Sequence, residues 1–200
     1  QKCTAIRRIM VPHAQEQAVI EAISARLAKV TIGDPRDEAT QMGALVSGAQ
    51  KRDVLDKAAA IGAEATRVFG DPDNFAMADS KGAFVPPMLF HCADPDNATR
   101  VHDTEAFGPV STVMGYRDLD HAIALLNRGQ GSLVASVITH DGDVARAVAM
   151  GAGAFHGRLY FNNRDSMAEA TGHGAPLPHM VHGGPGRAGG GEELGGSRAV

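Results

Sequence analysis

The sequence predicts an α/β fold, three layers deep (α/β/α), in which helices cover both faces of a mostly parallel sheet. Two patterns carry this expectation. Continuous apolar runs such as Leu133-Val134-Ala135-Ser136-Val137-Ile138 suit strands buried on both faces. From Val110 onward such runs alternate with amphipathic stretches at helical spacing, the order that builds a parallel sheet. A third observation bounds the class: of 200 residues, 44% are hydrophobic and 21% charged, ordinary values for a chain with a core and not for a disordered one.

The elements follow in order. Ala5 to Val11 alternates about Ile6, Ile9 and Val11, as a strand does. Residues 16–30 place Val19, Ile23 and Leu27 on one helical face with Ala22 beside them, and Gly33-Asp34-Pro35 ends that unit. Ser47 is an expected N-cap for a second helix whose apolar face carries Val54, Leu55, Ala58 and Ile61. Arg67–Phe69 and Pro87–Cys92 read as short strands, and the polar stretch 70–82 between them as an exposed loop. Val110–Tyr116 is a strand, residues 118–129 a helix burying Leu119, Ile123 and Leu126, and Leu133–Thr139 another strand. A short helix over 141–153 and a strand from Arg158 to Asn162, ending in Asn162-Asn163, complete one α/β domain without tandem repeats.

Composition excludes several classes of function. A net charge of −4, with seven Phe, two Tyr and no Trp, offers neither a basic surface nor a base-stacking one, so no nucleic-acid partner is expected. No apolar run is long enough for a membrane span, and no signal peptide opens the chain. Two cysteines form no disulfide framework, which suits a reducing cytoplasm. The chain opens at Gln1 inside an apparent strand and reads as a fragment. Glycine is in excess, 24 residues, eight of them within the loop 183–196.

Few residues offer chemistry. Cys3 stands near Lys2, Arg7 and Arg8, positive charges that lower a thiol pKa and favour the nucleophilic thiolate. The alternative is a buried, inert thiol, and Cys92, at the end of an apolar strand, reads that way. Glu105 and Phe107 lie two apart before a strand, with Gly108-Pro109 enforcing a turn. A carboxylate there can accept two ribose hydroxyl bonds and an aromatic ring can cover a flat heterocycle. The other reading is a solvated Glu and a core Phe. Gly184, Gly186 and Gly189 spell G-x-G-x-x-G, but the glycine-rich sequence beyond them cannot hold the helix a dinucleotide loop requires. His173, His179 and His182 lie close in sequence without an acid or thiol to complete a ligand set, so no metal is expected.

Several motifs, in one order along nearly the whole chain, resemble the aldehyde dehydrogenase family. They are Gln1-Lys2-Cys3 with Arg8, then Gly33-Asp34-Pro35 with Gln41-Met42-Gly43, then Glu105-Ala106-Phe107-Gly108-Pro109-Val110. Asn127, the run Leu133–Val137 and Asn162-Asn163 follow. The resemblance implies that residues 1–200 are the catalytic (C-terminal) domain. In that scheme the cofactor-binding domain, the general-base Glu and the oxyanion Asn lie upstream. It implies Cys3 as nucleophile, Glu105 and Phe107 as cofactor-binding residues, NADP or NAD as cofactor, and a homo-oligomer. Within the family, the opening segment and the glycine-rich tail are similar to the bifunctional ring-cleavage branch of phenylacetate degradation. That similarity implies a CoA-thioester semialdehyde substrate and a downstream hydratase-like domain. Two rivals remain: another cysteine enzyme of acyl transfer, which needs a histidine partner for Cys3, and a non-catalytic assembly module of the same fold.

Overall fold

A computed structural model describes residues 2–174 and 186–188. The chain divides into two compact units, Gln1–Arg117 and Asp118–Val200. The predicted loop 183–196, His179 and His182 fall almost wholly outside the described residues.

The first unit runs β1 (Arg8–Pro12), α1 (Glu16–Leu27), α2 (Gly48–Gly62), β2 (Thr66–Phe69), β3 (Met88–Cys92), α3 (Arg100–Asp103) and β4 (Val110–Tyr116). Its sheet has the order β1-β4-β3-β2. Strands β1 and β3 run parallel to the central β4, whereas β2 joins β3 antiparallel, with an irregularity between Arg67 and Phe69. The pleat sends alternate side chains to opposite faces. Met88, Phe90 and Cys92 with Val110 and Met114 meet Val54, Ala58 and Ile61 of α2. On the other face Leu89, Val113 and Val11 meet Ile20 of α1, flanked by Val19, Ile23 and Leu27. Helix, sheet and helix thus form the expected three layers, and each fully buried side chain contributes about 1.5–3 kcal/mol. Ser47 caps α2 as expected, its side chain accepting from the Gln50 N–H at 3.1 Å. Cys92 is fully buried, as its position in an apolar strand predicts.

The second unit is a β-α-β crossover preceded by a helix. Its elements are α4 (Leu119–Arg128), β5 (Ser132–Ile138), α5 (Gly142–Ala152) and β6 (His156–Asn162), with β5 parallel to β6. Asp118 caps α4 and Asp141 caps α5. The buried residues of α4 are His121 and Leu125; Leu119, Ile123 and Leu126 are only half-buried. The buried stripe is therefore rotated from the one that hydrophobicity alone selects, and a histidine takes one of its two buried positions.

One buried carboxylate locks the carboxyl ends of the strands in the first unit. Glu16, 8% exposed, accepts from Nδ1 of His13 through one oxygen and from Nε2 of His91 at 2.5 Å through the other. It lies over Gly115, where any Cβ would overlap a Glu16 carboxylate oxygen. Three elements are thereby joined. Glu16→Ala is expected to destabilise the fold by about 1–3 kcal/mol, because the partly buried His91 loses its acceptor and the link between the three elements is cut. Glu16→Gln is expected to lose less, and urea unfolding of both variants checks this.

Candidate functional site

The segment around Cys3 is a tight turn. Ala5 N–H donates to the Lys2 carbonyl at 3.0 Å, Thr4 is buried, and Cys3 is exposed. The chain then runs beside the start of β4. The Ser111 hydroxyl donates to the Ile6 carbonyl at 2.6 Å, and the Thr112 N–H donates to the Arg7 carbonyl at 2.8 Å. Exposure removes the inert-core alternative for this thiol.

The Glu105–Pro109 loop enters the same strand. Its residues alternate: Glu105 and Phe107 are exposed, while Ala106 and Gly108 are buried. Glu105 and Phe107 thus face solvent, while Ala106 and Gly108 anchor the loop against the protein. The anchoring is tight. A Cβ on Gly108 would lie 2.7 and 2.8 Å from the two methyls of Val54, so only glycine lets the loop lie this close to α2. The Gln50 side-chain amide donates to the Phe107 carbonyl at 3.2 Å, and Met88 N–H donates to the Pro109 carbonyl at 2.8 Å. Phe107 is 37% exposed, too open for a core phenylalanine.

The structure joins these two segments at the amino ends of β1 and β4. Arg7 Nε lies 3.9 Å from Glu105 Oε1, with the Glu105 side chain 48% exposed. That separation exceeds a hydrogen bond, and an ion pair so exposed holds little; the carboxylate oxygens keep their capacity to accept. A half-open carboxylate beside an open aromatic ring fits a ribose and a flat heterocycle, so the residues present fit a nicotinamide cofactor. The location differs from the usual crevice of open α/β sheets, which lies outside the carboxyl ends of the strands. Here that end is filled by the Glu16 lock.

Other motif residues are structural. Gly33-Asp34-Pro35 and Gln41-Met42-Gly43 are the two ends of one loop, closed by Gly33 N–H on the Met42 carbonyl at 3.1 Å and Gln41 N–H on the Thr31 carbonyl at 2.9 Å. Asp34 is held at a pKa of about 2 because the Arg36 side chain and backbone N–H donate to it, and it stays ionised across the physiological range. In the second unit, Asn127 ties α4 to α5 by donating to the Gly151 carbonyl at 2.8 Å. Asn162 accepts from the Ser166 hydroxyl at 2.5 Å, and Asn163 Oδ1 accepts from the N–H groups of Asp165 and Ser166. His173 Nδ1 lies 2.5 Å from the Ser136 hydroxyl. Among the described residues no cluster of three histidine, cysteine or acidic groups could hold a metal ion, and no helix is long and apolar enough to cross a membrane.

Sequence reasoning passed over His102. It lies three positions before Glu105 and is 2% exposed, with Arg8 Nη1 3.1 Å from its Nδ1. Its signal was present in the sequence only as a histidine beside a motif, which says nothing of burial.

Comparison with known proteins identifies the family. The model of the aldehyde dehydrogenase family matches residues 1–198. The chain is 51% identical over 162 residues to "Protein MaoC" of Klebsiella aerogenes, covering 80% of this chain and 47% of that protein. It is 40% identical over 188 residues to 3,4-dehydroadipyl-CoA semialdehyde dehydrogenase of Aromatoleum evansii, covering 92% and 36%. Among solved structures it resembles a cysteine-to-alanine variant of aldehyde dehydrogenase C from Pseudomonas syringae, in complex with NAD+ and octanal. There the TM-score is 0.77 at 25% identity, covering all of this chain and 38% of that one. The chain thus spans less than half the length of these relatives. It belongs to the aldehyde dehydrogenase family.

Proposed function

We propose that this chain is the nucleophile-bearing part of an enzyme that oxidises a CoA-linked semialdehyde to its acid, with NADP or NAD as acceptor. The observation that carries this is the approach of Arg7, four residues after the exposed Cys3, to Glu105 at 3.9 Å, where the adjacent parallel strands β1 and β4 begin. The relative that acts, by its name, on a CoA semialdehyde supports the substrate class.

In this reading the Cys3 thiolate attacks the aldehyde carbon, forming a C–S bond and a thiohemiacetal. The Cys3 backbone N–H donates to the oxygen as it takes up charge. A bound oxidised nicotinamide supplies the hydride acceptor, which leaves a thioester on Cys3. Water then breaks the C–S bond, releasing the acid and the thiol. Glu105 would accept from the ribose hydroxyls of that cofactor, and Phe107 would pack near its nicotinamide. Among the described residues no histidine hydrogen-bonds to Cys3, which does not favour a cysteine–histidine acyl-transfer enzyme.

The parent protein, on the resemblance of its ends, also carries a dinucleotide-binding domain upstream and a hydratase-like domain downstream, and assembles as a homo-oligomer. The full-length protein, given a CoA semialdehyde and NADP, is expected to produce NADPH and the acid in equal amounts. The 200-residue chain by itself is expected to produce none. Turnover by the isolated chain would overturn the division of labour, and no NADP or NAD reduction by the full-length protein would overturn the activity.

A further inference from the structure

The Arg7–Glu105 pair, 3.9 Å apart with the Glu105 side chain 48% exposed, contributes little to holding the two halves of the site in register. A part-buried contact, made by a buried histidine, also joins them. His102 belongs to α3, the four-residue helix that leads into Glu105, and its ring is 2% exposed. On one side His102 Nε2 lies 2.9 Å from the Pro95 carbonyl; on the other, His102 Nδ1 lies 3.1 Å from Arg8 Nη1. A carbonyl only accepts and a guanidinium only donates. The partners therefore assign a neutral ring with its proton on Nε2, donating to Pro95 and accepting from Arg8.

Both ends of this bond are anchored. Arg8 opens β1, five residues after Cys3, opposite Thr112 of β4. Helix α3 is fixed at its start by Glu64, whose Oε2 accepts from the N–H groups of Thr99 at 2.9 Å, Arg100 at 2.6 Å and Val101 at 3.3 Å. Glu64 lies two residues beyond α2, the helix that holds Gly108 and the Phe107 carbonyl.

We propose that His102 is a positioning residue: through Arg8 it sets the Cys3 segment against the Glu105–Phe107 loop. The inference rests on the function proposed above. His102 touches neither substrate nor cofactor. It matters because a misplacement of about 1 Å between a nucleophile and its partners can cost about 10²-fold in rate.

The test uses the full-length protein and two replacements. His102→Phe keeps a ring of similar bulk but can neither accept from Arg8 nor donate to Pro95, whereas His102→Gln can do both. With His102→Phe, the KM for NADP is expected to rise about tenfold and the rate of Cys3 alkylation by iodoacetamide to change at least about threefold, a paired shift on both sides of the site. His102→Gln is expected to restore most of both. The proposal is overturned if His102→Phe leaves both readouts within about twofold of the parent, or if Phe and Gln fail alike, which makes His102 a packing residue only. Should His102→Phe not fold, Arg8→Met removes the same bond from the other side and must give the same paired shift; its absence overturns the proposal too. Retained aldehyde oxidation by Cys3→Ala instead overturns the function itself, so the two failures are separable.

Discussion

Cys3→Ala in the full-length protein is expected to lower kcat/KM for aldehyde oxidation by roughly 10⁴-fold or more, the scale seen when a covalent nucleophile is removed. The replacement removes one sulfur from an exposed turn, so unfolding temperature and cofactor binding are expected to stay near the parent values. That separation makes the measurement decisive. If Cys3→Ala retains more than a small fraction of aldehyde oxidation while folding normally, Cys3 is not the nucleophile. A second catalytic activity in the same parent chain, such as hydration, is expected to survive, since it does not use this thiol.

Gly108→Ala is the second large effect, on stability and on cofactor binding together. The new methyl would lie 2.7 and 2.8 Å from the Val54 methyls, and Val54 is fully buried in the cluster under β3 and β4. A β-branched side chain packed on all sides has no other rotamer to adopt, so the loop must lift. The expected cost is about 1–3 kcal/mol, as for other overpacked cores. The lift carries Glu105 and Phe107 with it, so the KM for NADP should rise at the same time. Shrinking the partner checks the cause: Val54→Ala in the same chain should return part of the lost stability, giving a favourable coupling between the two sites. A Gly108→Ala protein as stable as the parent and unchanged in cofactor KM would remove the steric argument.

Much of the fold was legible because its physics is local. Helices α1 and α2 follow from apolar spacing, the cap of α2 from Ser47, and the parallel strands from runs such as Leu133–Ile138 that have no polar face to show solvent. The antiparallel attachment of β2 was not legible, since four residues carry no directional signal. Nor was the separation of β5 and β6 into their own sheet, which depends on contacts distant in sequence. Helix α3 is a single turn stabilised by the Glu64 carboxylate, 36 residues earlier in the chain; no periodicity announces it. His121 in α4 shows the converse: a polar residue took the core position that a hydrophobicity pattern gives to leucine or isoleucine.

At the candidate site, residue type pointed to Cys3, Glu105 and Phe107, but only the collinear family motifs chose between functional and inert readings of each. Structure then supplied what neither could: the exposure of Cys3, Glu105 and Phe107, and the contact of Arg8 with the buried His102. Burial of a histidine reflects the three-dimensional meeting of β1 and α3, which no local window contains.

On the proposed function, the strands of the first unit have a reactive end and a locked end. The segment that follows Cys3 and the Glu105–Phe107 loop lead into β1 and β4, and the Glu16–histidine clasp closes where β1 and β4 end beside His91 of β3. Thermal tolerance and turnover are therefore adjustable from opposite ends of the same strands. Changes at His13, Glu16 or His91 should move the temperature at which the protein fails while sparing its rate at lower temperature. An engineer, or natural selection, can retune one without renegotiating the other.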